Sequence, residues 1–243
     1  GHDWAFVRAT GVTRGVLFQP VQHVLVGRVG FVLELVAAAM GNAVRMRFCQ
    51  RLGQRRAEVR GLCDEEARSL GMQPLGWRTV PVEPAVLGPL ARATAPVIEQ
   101  WVLNGDADDA TFDGQLLRLR RRIGARVRAA LGAEVAQDVY VASLSRRTVV
   151  YKGMVRSEVL AQFYADLQDP RFEVSFAVYH RRFSTNTLPR WPLAQPMRLL
   201  GHNGEINTLL GNLNWAKASE ASLENVWGEA ADDLIPVVNP AFS

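Results

Sequence analysis

Apolar and polar residues alternate at helical spacing in two long segments of the chain. Residues 58–70 carry apolar positions three and four apart, and Gly71 follows them as a residue suited to end a helix. Residues 109–136 repeat the pattern over a greater length, with one apolar face and one face rich in arginine. The apolar face consists of Leu116, Leu119, Ile123, Val127 and Leu131. The sequence therefore predicts two amphipathic helices.

Shorter apolar runs bounded by proline, glycine or polar residues predict strands. Two such runs, 138–144 and 148–154, flank a polar Ser-Arg-Arg turn, which is typical of a β-hairpin. This mixture of strands and helices predicts a fold with an antiparallel sheet and helices outside it. The other predicted elements are strands around Val80, Val82 and Val86 and at 172–183 and 197–200, and helices at 157–167, capped by Ser157, and from 207 onward.

Residues 1–53 do not share these patterns. Glycines recur inside their apolar runs, and no period of two or 3.6 residues is sustained. We therefore divide the chain into an irregular segment, 1–53, and a domain, 54–243. Two hypotheses account for the first segment: a reading-frame error in the coding sequence, or a divergent basic binding arm.

Composition and charge narrow the function classes. With 48% hydrophobic and 21% charged residues in 243, the chain is neither disordered nor collagen-like. Its two cysteines exclude a disulfide framework or a four-cysteine zinc site, so no metal site is expected. Residues 1–60 carry nine arginines and three acids, and the remaining residues sum to −2, although the whole chain is +4. The larger part of the protein is mildly acidic, so we expect no nucleic-acid partner.

Membrane attachment is also not expected. The apolar stretch 23–44 contains Arg28 and Glu34, which are costly inside a bilayer, and no signal-peptide pattern precedes it. We therefore expect a cytoplasmic protein.

The arginine face of the predicted helix 109–136 allows two interpretations. A basic amphipathic helix binds anionic lipid or nucleic acid, whereas an ordinary surface helix faces solvent beside acids such as Asp106, Asp108 and Asp109. We favour the second, because no aromatic residue is interleaved for base stacking.

The residues with the most distinctive chemistry lie at 179–187 and 201–208. The first segment places Arg182 and Thr185 after an apolar strand, and a guanidinium there suits bidentate binding of a carboxylate. In the second, Asn203 offers a side-chain amide donor, and Gly204 leaves its backbone N–H open. Together they meet the minimum for an oxyanion hole, although Asn-Gly alone is more often a β-turn.

The same segments resemble a known family. The runs His-Arg-Arg-Phe-Ser-Thr-Asn-Thr at 180–187, Leu-Ala-Gln-Pro-Met-Arg at 193–198 and His-Asn-Gly-Glu-Ile-Asn-Thr-Leu at 202–209 are similar to the glutaminase domain of glutamate synthase large subunits. Further similar runs lie at 75–82, 95–100 and 143–154. The resemblance extends from about residue 54 to the end of the chain, and residues 1–53 match poorly.

The resemblance implies a class II glutamine amidotransferase with an N-terminal-nucleophile hydrolase fold, an α+β four-layer αββα sandwich that is incomplete here. Arg182, assisted by Thr185, would hold the α-carboxylate of L-glutamine, and Asn203 with Gly204 would form the oxyanion hole. The family releases ammonia from glutamine for the reductive amination of 2-oxoglutarate. No cofactor is expected in this segment, whereas FMN and an iron–sulfur cluster are expected in the complete enzyme, together with its remaining domains and a possible reductase subunit.

The chain departs from the family at both ends. The family begins with a nucleophilic cysteine, but this chain begins Gly-His-Asp-Trp, and Cys49 and Cys63 are internal. The aspartate expected to hold the glutamine α-amino group is not reached before Ser243. We therefore expect these 243 residues to lack glutaminase activity. The alternatives are another class II amidotransferase, or a non-catalytic module that binds glutamine or nucleic acid.

Overall fold

The largest sheet has four antiparallel strands. A computed structural model of the protein describes residues 5–8, 25–27, 43–49, 55–105, 107–146, 148–174, 176–180, 188–195 and 208–238, the first three ranges as backbone only. The sheet order is β4-β5-β3-β6, and each neighbouring pair is antiparallel. The strands are β3 (Ala43–Cys49), β4 (Gln73–Thr79), β5 (Pro96–Asn104) and β6 (Val139–Ser143).

Four shorter strands form two antiparallel pairs. The first pair joins β1 (Ala5–Arg8) to β8 (Phe176–Tyr179), and the second joins β2 (Leu25–Gly27) to β7 (Val149–Tyr151). Strand β2 also lies beside β8, so the two pairs are neighbours.

Six α-helices and five short 3-10 segments are described. The helices are α1 (Arg55–Ser69), α2 (Pro89–Ala93), α3 (Asp109–Asp138), α4 (Leu160–Phe163), α5 (Leu209–Glu220) and α6 (Leu223–Trp227). The 3-10 segments are Pro84–Val86, Ser157–Val159, Ala165–Gln168, Trp191–Leu193 and Gly228–Leu234. Within the part of the chain that the structure describes, none of the helices combines the length and the apolar character needed to cross a membrane.

Helices α1 and α3 pack on one face of the large sheet. Trp101 and Leu103 of β5 point to this face, because alternate residues of a strand share a side. A buried Leu, Val or Ile side chain contributes roughly 1.5–3 kcal/mol. The helical residues of this cluster are Val59, Cys63 and Ala67 from α1, and Phe112, Leu116, Leu119, Ile123 and Val127 from α3.

A second core covers the opposite face of the sheet. Ile98 of β5 packs there with Val149 and Tyr151 of β7, and with Phe163 of α4 and the neighbouring Tyr164. The large sheet therefore lies between a helical layer and a layer that contains β7. This arrangement confirms the mixed α+β prediction.

Both amphipathic helices predicted from the sequence are confirmed. Helix α1 ends as predicted: Gly71 has a φ of 75°, and its N–H donates to the carbonyl of Arg68 at 3.0 Å. Four of the five predicted apolar residues of α3 are buried, and Leu131 packs against them partly buried. Helix α3 is interrupted near its end at Gly132, whose φ of 87° is not helical.

The predicted hairpin is wrong. Strands β6 and β7 exist, but β6 pairs with β3 and β7 with β2, so their connection passes between layers. In the proline-rich stretch, Val82 forms a single bridge to Tyr164, and Pro84–Val86 is a 3-10 segment. The predicted helix 157–167 is a succession of 3-10 and α turns, and Ser157 does not cap it.

Three strands come from the irregular segment 1–53. Strand β3 lies between β5 and β6, while β1 and β2 pair with β8 and β7. Residues 44–48 alternate Val-Arg-Met-Arg-Phe, a period of two that is short but sufficient for a strand. The division of the chain at residue 53 stays a prediction.

Candidate functional site

The four predicted site residues lie outside the described part of the chain. Arg182 and Thr185 fall in 181–187, and Asn203 and Gly204 fall in 196–207. The predicted strand at 197–200 also falls there. The structure does describe the three pieces of chain that border these segments, and their contacts define the surroundings of the candidate site.

The first border is the end of β8. In the β1–β8 pair, Ala5 lies opposite Tyr179, so the first residue of β1 is beside the last residue of β8. Arg182 follows Tyr179 by three residues. The described part of β8 therefore ends beside the first residue of β1, three residues ahead of Arg182 in the sequence.

The second border is the 3-10 turn Trp191–Leu193, which separates the two predicted site segments. Trp191 is 3% exposed, its indole N–H donates to the carbonyl of Ala91 at 3.2 Å, and its ring lies 5.7 Å from that of Phe163. Lys152 donates from Nζ to the carbonyl of Pro192 at 2.8 Å. The turn is therefore fixed to the second core by both ring packing and directed hydrogen bonds.

The third border is α5, which begins at Leu209, five residues after Gly204. Thr208 occupies the N-cap position but makes no side-chain capping hydrogen bond. None of the twelve residues of α5, all of them described, is buried. This helix therefore contributes to neither core.

A polar network joins β4 to the second core. Both terminal nitrogens of Arg78 donate to the carboxylate of Asp166, at 3.0 and 2.5 Å, and one also donates to the side-chain oxygen of Gln100 at 2.7 Å. The hydroxyl of Tyr151 donates to the same carboxylate at 2.9 Å. The hydrogen bonds to Asp166 raise the pKa of Arg78 above its ordinary value, although partial burial opposes them. The network is suited to holding a surface strand on the core.

A second buried carboxylate lies on the helical side. Glu99 of β5 is 0% exposed, and it pairs with the guanidinium groups of Arg56 and Arg60 of α1. Arg60 also lies 5.5 Å from the ring centre of Trp77, which stacks on Trp101. These two ion pairs attach α1 to the sheet at Glu99.

Cys63 is not suited to nucleophilic chemistry. Its side chain is fully buried in the core between α1 and α3. Burial raises the pKa of the Cys63 thiol well above its ordinary value, and the negative charges of Asp64 and Glu66 raise it further. Because the thiolate is the reactive form, Cys63 is a structural residue. The side chain of Cys49 is outside the description.

The arginine face of α3 is engaged within the protein. Arg118 pairs with Asp233 at 2.8 Å, and Arg122 pairs with Glu66 at 2.8 Å. Arg121 donates to backbone carbonyls in 234–237, including that of Leu234 at 2.9 Å. Among the side chains that the structure describes, Asp233 and Glu66 are acidic partners of this face. The observed pairing supports an ordinary surface helix over a basic binding face.

Metal chemistry has no visible support in the described ranges. Among their side chains, no three His, Cys, Asp or Glu residues lie close enough together to hold a metal ion.

Lys152 and Trp191 are the residues that the sequence did not single out. Lys152 appeared in the resemblance only as a member of the run 143–154. A signal was nevertheless present, since Lys152 is one of just two lysines in an arginine-rich chain and sits directly after an apolar strand. A lysine in such a position is rarely buried unless it has a partner.

Comparison with known families identifies the family of this chain. The family model for class-II glutamine amidotransferases matches residues 8–243. The match includes all four predicted site residues and nearly the whole chain.

Individual relatives lead to the same family. The chain is 49% identical over 205 residues to ferredoxin-dependent glutamate synthase 2 of Synechocystis sp., with 82% of this chain and 13% of that protein covered. It is 47% identical to ferredoxin-dependent glutamate synthase 2 of Arabidopsis thaliana, covering 83% and 12%. The large chain of NADPH glutamate synthase of Azospirillum brasilense is 46% identical, with 76% and 12% covered. The chain thus spans about one eighth of the length of these relatives. The resemblance drawn from the sequence is confirmed, and the chain belongs to the class-II glutamine amidotransferases.

Proposed function

We propose that this chain is part of the glutaminase domain of a glutamate synthase, and that the complete domain releases ammonia from L-glutamine for the reductive amination of 2-oxoglutarate. The observation that carries the proposal is the identity of 46–49% to three glutamate synthases over at least three quarters of the chain. Two of these relatives are named as ferredoxin-dependent and one as NADPH-dependent. The similarity therefore concerns the part that all of them share and does not select an electron donor.

The proposed site binds the substrate through its α-carboxylate. The guanidinium of Arg182 would donate two parallel hydrogen bonds to that group, which fixes its orientation as well as its position. The hydroxyl of Thr185 would add a third donor. The side-chain amide of Asn203 and the backbone N–H of Gly204 would stabilise the oxyanion that forms on the side-chain carbonyl.

The proposed reaction has two halves. A cysteine thiolate attacks the side-chain amide carbon of glutamine, the carbon–nitrogen bond breaks, and ammonia leaves with the proton that the thiol gave up. Water then hydrolyses the glutamyl thioester, which releases glutamate and restores the thiol. In this family the α-amino group of the N-terminal cysteine serves as the base. Cys63 is excluded as the nucleophile, because it is buried in the helical core.

The four-layer αββα sandwich is part of the proposal. Its support is the helical layer on one face of the large sheet and the β7-containing layer on the other. A second helical layer would complete the sandwich.

The cofactors and partners proposed for the complete enzyme lie beyond these residues. FMN and an iron–sulfur cluster would belong to the other domains of the longer polypeptide, where ammonia is used. A cluster needs several cysteine ligands, and the only cysteine side chain described here, Cys63, is enclosed in the core. A cytoplasmic location is proposed as well, although the Arabidopsis relative is named as chloroplastic.

Binding of L-glutamine to the purified chain tests the proposed site. We expect calorimetry to detect binding of L-glutamine and not of D-glutamine. A site that binds the α-carboxylate and the side chain together selects one configuration at the α-carbon. Arg182→Met should weaken binding roughly tenfold to a hundredfold, the loss expected for hydrogen bonds to a charged group. Arg181→Met, the same change one residue earlier, is the matched control and should leave affinity unchanged.

A substitution in the proposed oxyanion hole should affect L-glutamine binding differently from one at Arg182. Asn203→Ala should leave L-glutamine affinity nearly intact, because its donor acts on the charge that develops during the reaction. Equal losses from Arg182→Met and Arg181→Met, or binding of L- and D-glutamine alike, would contradict the proposal.

A further inference from the structure

Lys152 is a buried cation that contacts the turn between the two predicted site segments. It follows β7 directly, and only 3% of its surface is exposed. Its Nζ donates to the carbonyl of Pro192 at 2.8 Å and lies 5.7 Å from the ring centre of Tyr140. The hydroxyl of Tyr164 donates to the Lys152 carbonyl at 2.8 Å. Both the backbone and the side chain of this lysine are therefore held in place.

Packing alone does not explain a lysine at this position. Taking an ammonium group out of water is costly, and methionine has nearly the same length without a charge. Unlike methionine, lysine donates a directed hydrogen bond to the Pro192 carbonyl, which specifies the orientation of the turn. Trp191, in the same turn, specifies its position through the hydrogen bond to Ala91.

Gly153, the next residue after Lys152, lets the Trp191 ring pack close to the backbone. A Cβ atom added to Gly153 would come 2.3 Å from the Trp191 ring. Only glycine allows the indole to lie this close to the backbone after β7. The turn Trp191–Leu193 therefore contacts both residues: Lys152 binds its Pro192 carbonyl, and Gly153 leaves room for its Trp191 ring.

The turn Trp191–Leu193 belongs to the stretch of chain that connects the two predicted site segments in sequence. Residues 188–195 follow the segment of Arg182 and precede the segment of Asn203 and Gly204. We infer that Lys152 is a positioning residue of the glutaminase site, which sets the orientation of this link through the Pro192 carbonyl. The inference rests on the proposed function, because it concerns the affinity of that site for L-glutamine.

The chain offers a matched pair of lysines for the test. Lys152→Met removes the buried donor and keeps the length, whereas Lys217→Met makes the same change at an exposed position of α5. For the intact 243-residue chain we expect Lys152→Met to weaken L-glutamine binding about tenfold, since small displacements of binding groups have large effects. Lys152→Arg, which restores a donor, should recover part of the affinity. Lys217→Met should match the unaltered chain.

Hydrogen exchange supplies a readout that does not depend on a ligand. In Lys152→Met, amides of residues 188–195 should exchange faster, while those of α1 and α3 keep their protection. A purely structural role would change protection throughout the protein. If Lys152→Met does not fold, Trp191→Phe provides the same measurements, because it removes the hydrogen bond to Ala91 and keeps an aromatic ring.

The two proposals fail in different ways. If the unaltered chain does not bind L-glutamine, the proposed function is wrong, and exchange in 188–195 still decides whether Lys152 orients the turn. If the chain binds L-glutamine and Lys152→Met binds it equally well, the positioning role is wrong and the proposed function stands. Unchanged exchange in 188–195 also overturns the positioning role.

Discussion

The helical side of the large sheet and helix α5 differ in how far their side chains are buried. On the helical side of the sheet, α1 and α3 bury a continuous apolar cluster, and Trp101 at its centre is 0% exposed. In α5, by contrast, Trp215 is 79% exposed. One residue type thus serves as core in the first region and as surface in the second.

The turn at 191–193 and residues 233–237 depend also on individual polar contacts. The hydrogen bonds from Trp191 and Lys152 hold the turn at 191–193, and Arg118 and Arg121 hold residues 233–237 on α3. Such contacts are weaker than apolar burial but specify orientation. The comparison indicates that the helical region supplies stability and that the polar anchors supply geometry. Four predictions test this division.

The largest difference should come from the two tryptophans. Trp101→Ala is expected to lower the free energy of unfolding by about 3–5 kcal/mol, because it empties a packed site beside Trp77. Trp215→Ala should change it by less than about 0.5 kcal/mol. Urea unfolding followed by circular dichroism measures both. Equal losses would mean that α5 belongs to the core.

The buried carboxylate should give the next largest effect. Glu99→Gln keeps the side-chain shape but leaves Arg56 and Arg60 without their anion. We expect a loss of about 1–3 kcal/mol, less than for a fully buried pair because both arginines are partly exposed. Glu65→Gln, at a mostly exposed carboxylate of α1, is the control and should stay within about 0.5 kcal/mol. A small effect at Glu99 would show that burial of Trp101 alone attaches α1 to the sheet.

A smaller effect is expected where the C-terminal part meets α3. Arg118→Met removes the ion pair with Asp233 and should cost about 0.5–1 kcal/mol, with faster amide exchange in residues 228–238. Arg128→Met, on an exposed part of the same helix, should change neither quantity. Slower or unchanged exchange after Arg118→Met would contradict the role of this pair as an anchor.

The smallest effect belongs to a surface pair. Hydrogen bonds from Arg171 lower the pKa of Asp169 below its ordinary value of 3.8. A lowered carboxyl pKa stabilises the fold above 3.8, and the stabilisation is lost as the pH falls through the lowered value. The urea midpoint of Asp169→Asn should therefore lie slightly below that of the unaltered chain at neutral pH and equal it in strong acid. A difference that persists in acid would rule out this pair as its source.

The helical region was predictable because local and tertiary preferences agree there. Residues 58–70 and 109–136 show the helical period, and the apolar residues that the period selects are those that pack. Where Gly71 was expected to end a helix, its positive φ requires a glycine. Nothing beyond the sequence pattern was needed for these elements.

Strand pairing was not predictable in the same way. The hairpin prediction used a short polar turn, but the partners of β6 and β7 come from residues far away in sequence. Strand β5 escaped prediction because Glu99 and Gln100, polar but buried, interrupt its apolar pattern. The reasons for their burial are Arg56, Arg60 and Arg78, which lie on other elements.

The site was predicted by chemistry and family resemblance, not by pattern. Arg182, Thr185, Asn203 and Gly204 stay predictions, since their segments are outside the described residues. The sequence signal at Lys152 did not reveal its partner, because the Pro192 carbonyl lies forty residues further along the chain.

The central place of β3 has a practical consequence for shortened versions of the protein. A version that begins at residue 54 would lack the strand between β5 and β6 and would expose the facing edges of both. Open strand edges pair readily with other chains, so such a version is expected to aggregate. A shortened protein intended for crystallisation or ligand binding should therefore begin ahead of Ala43.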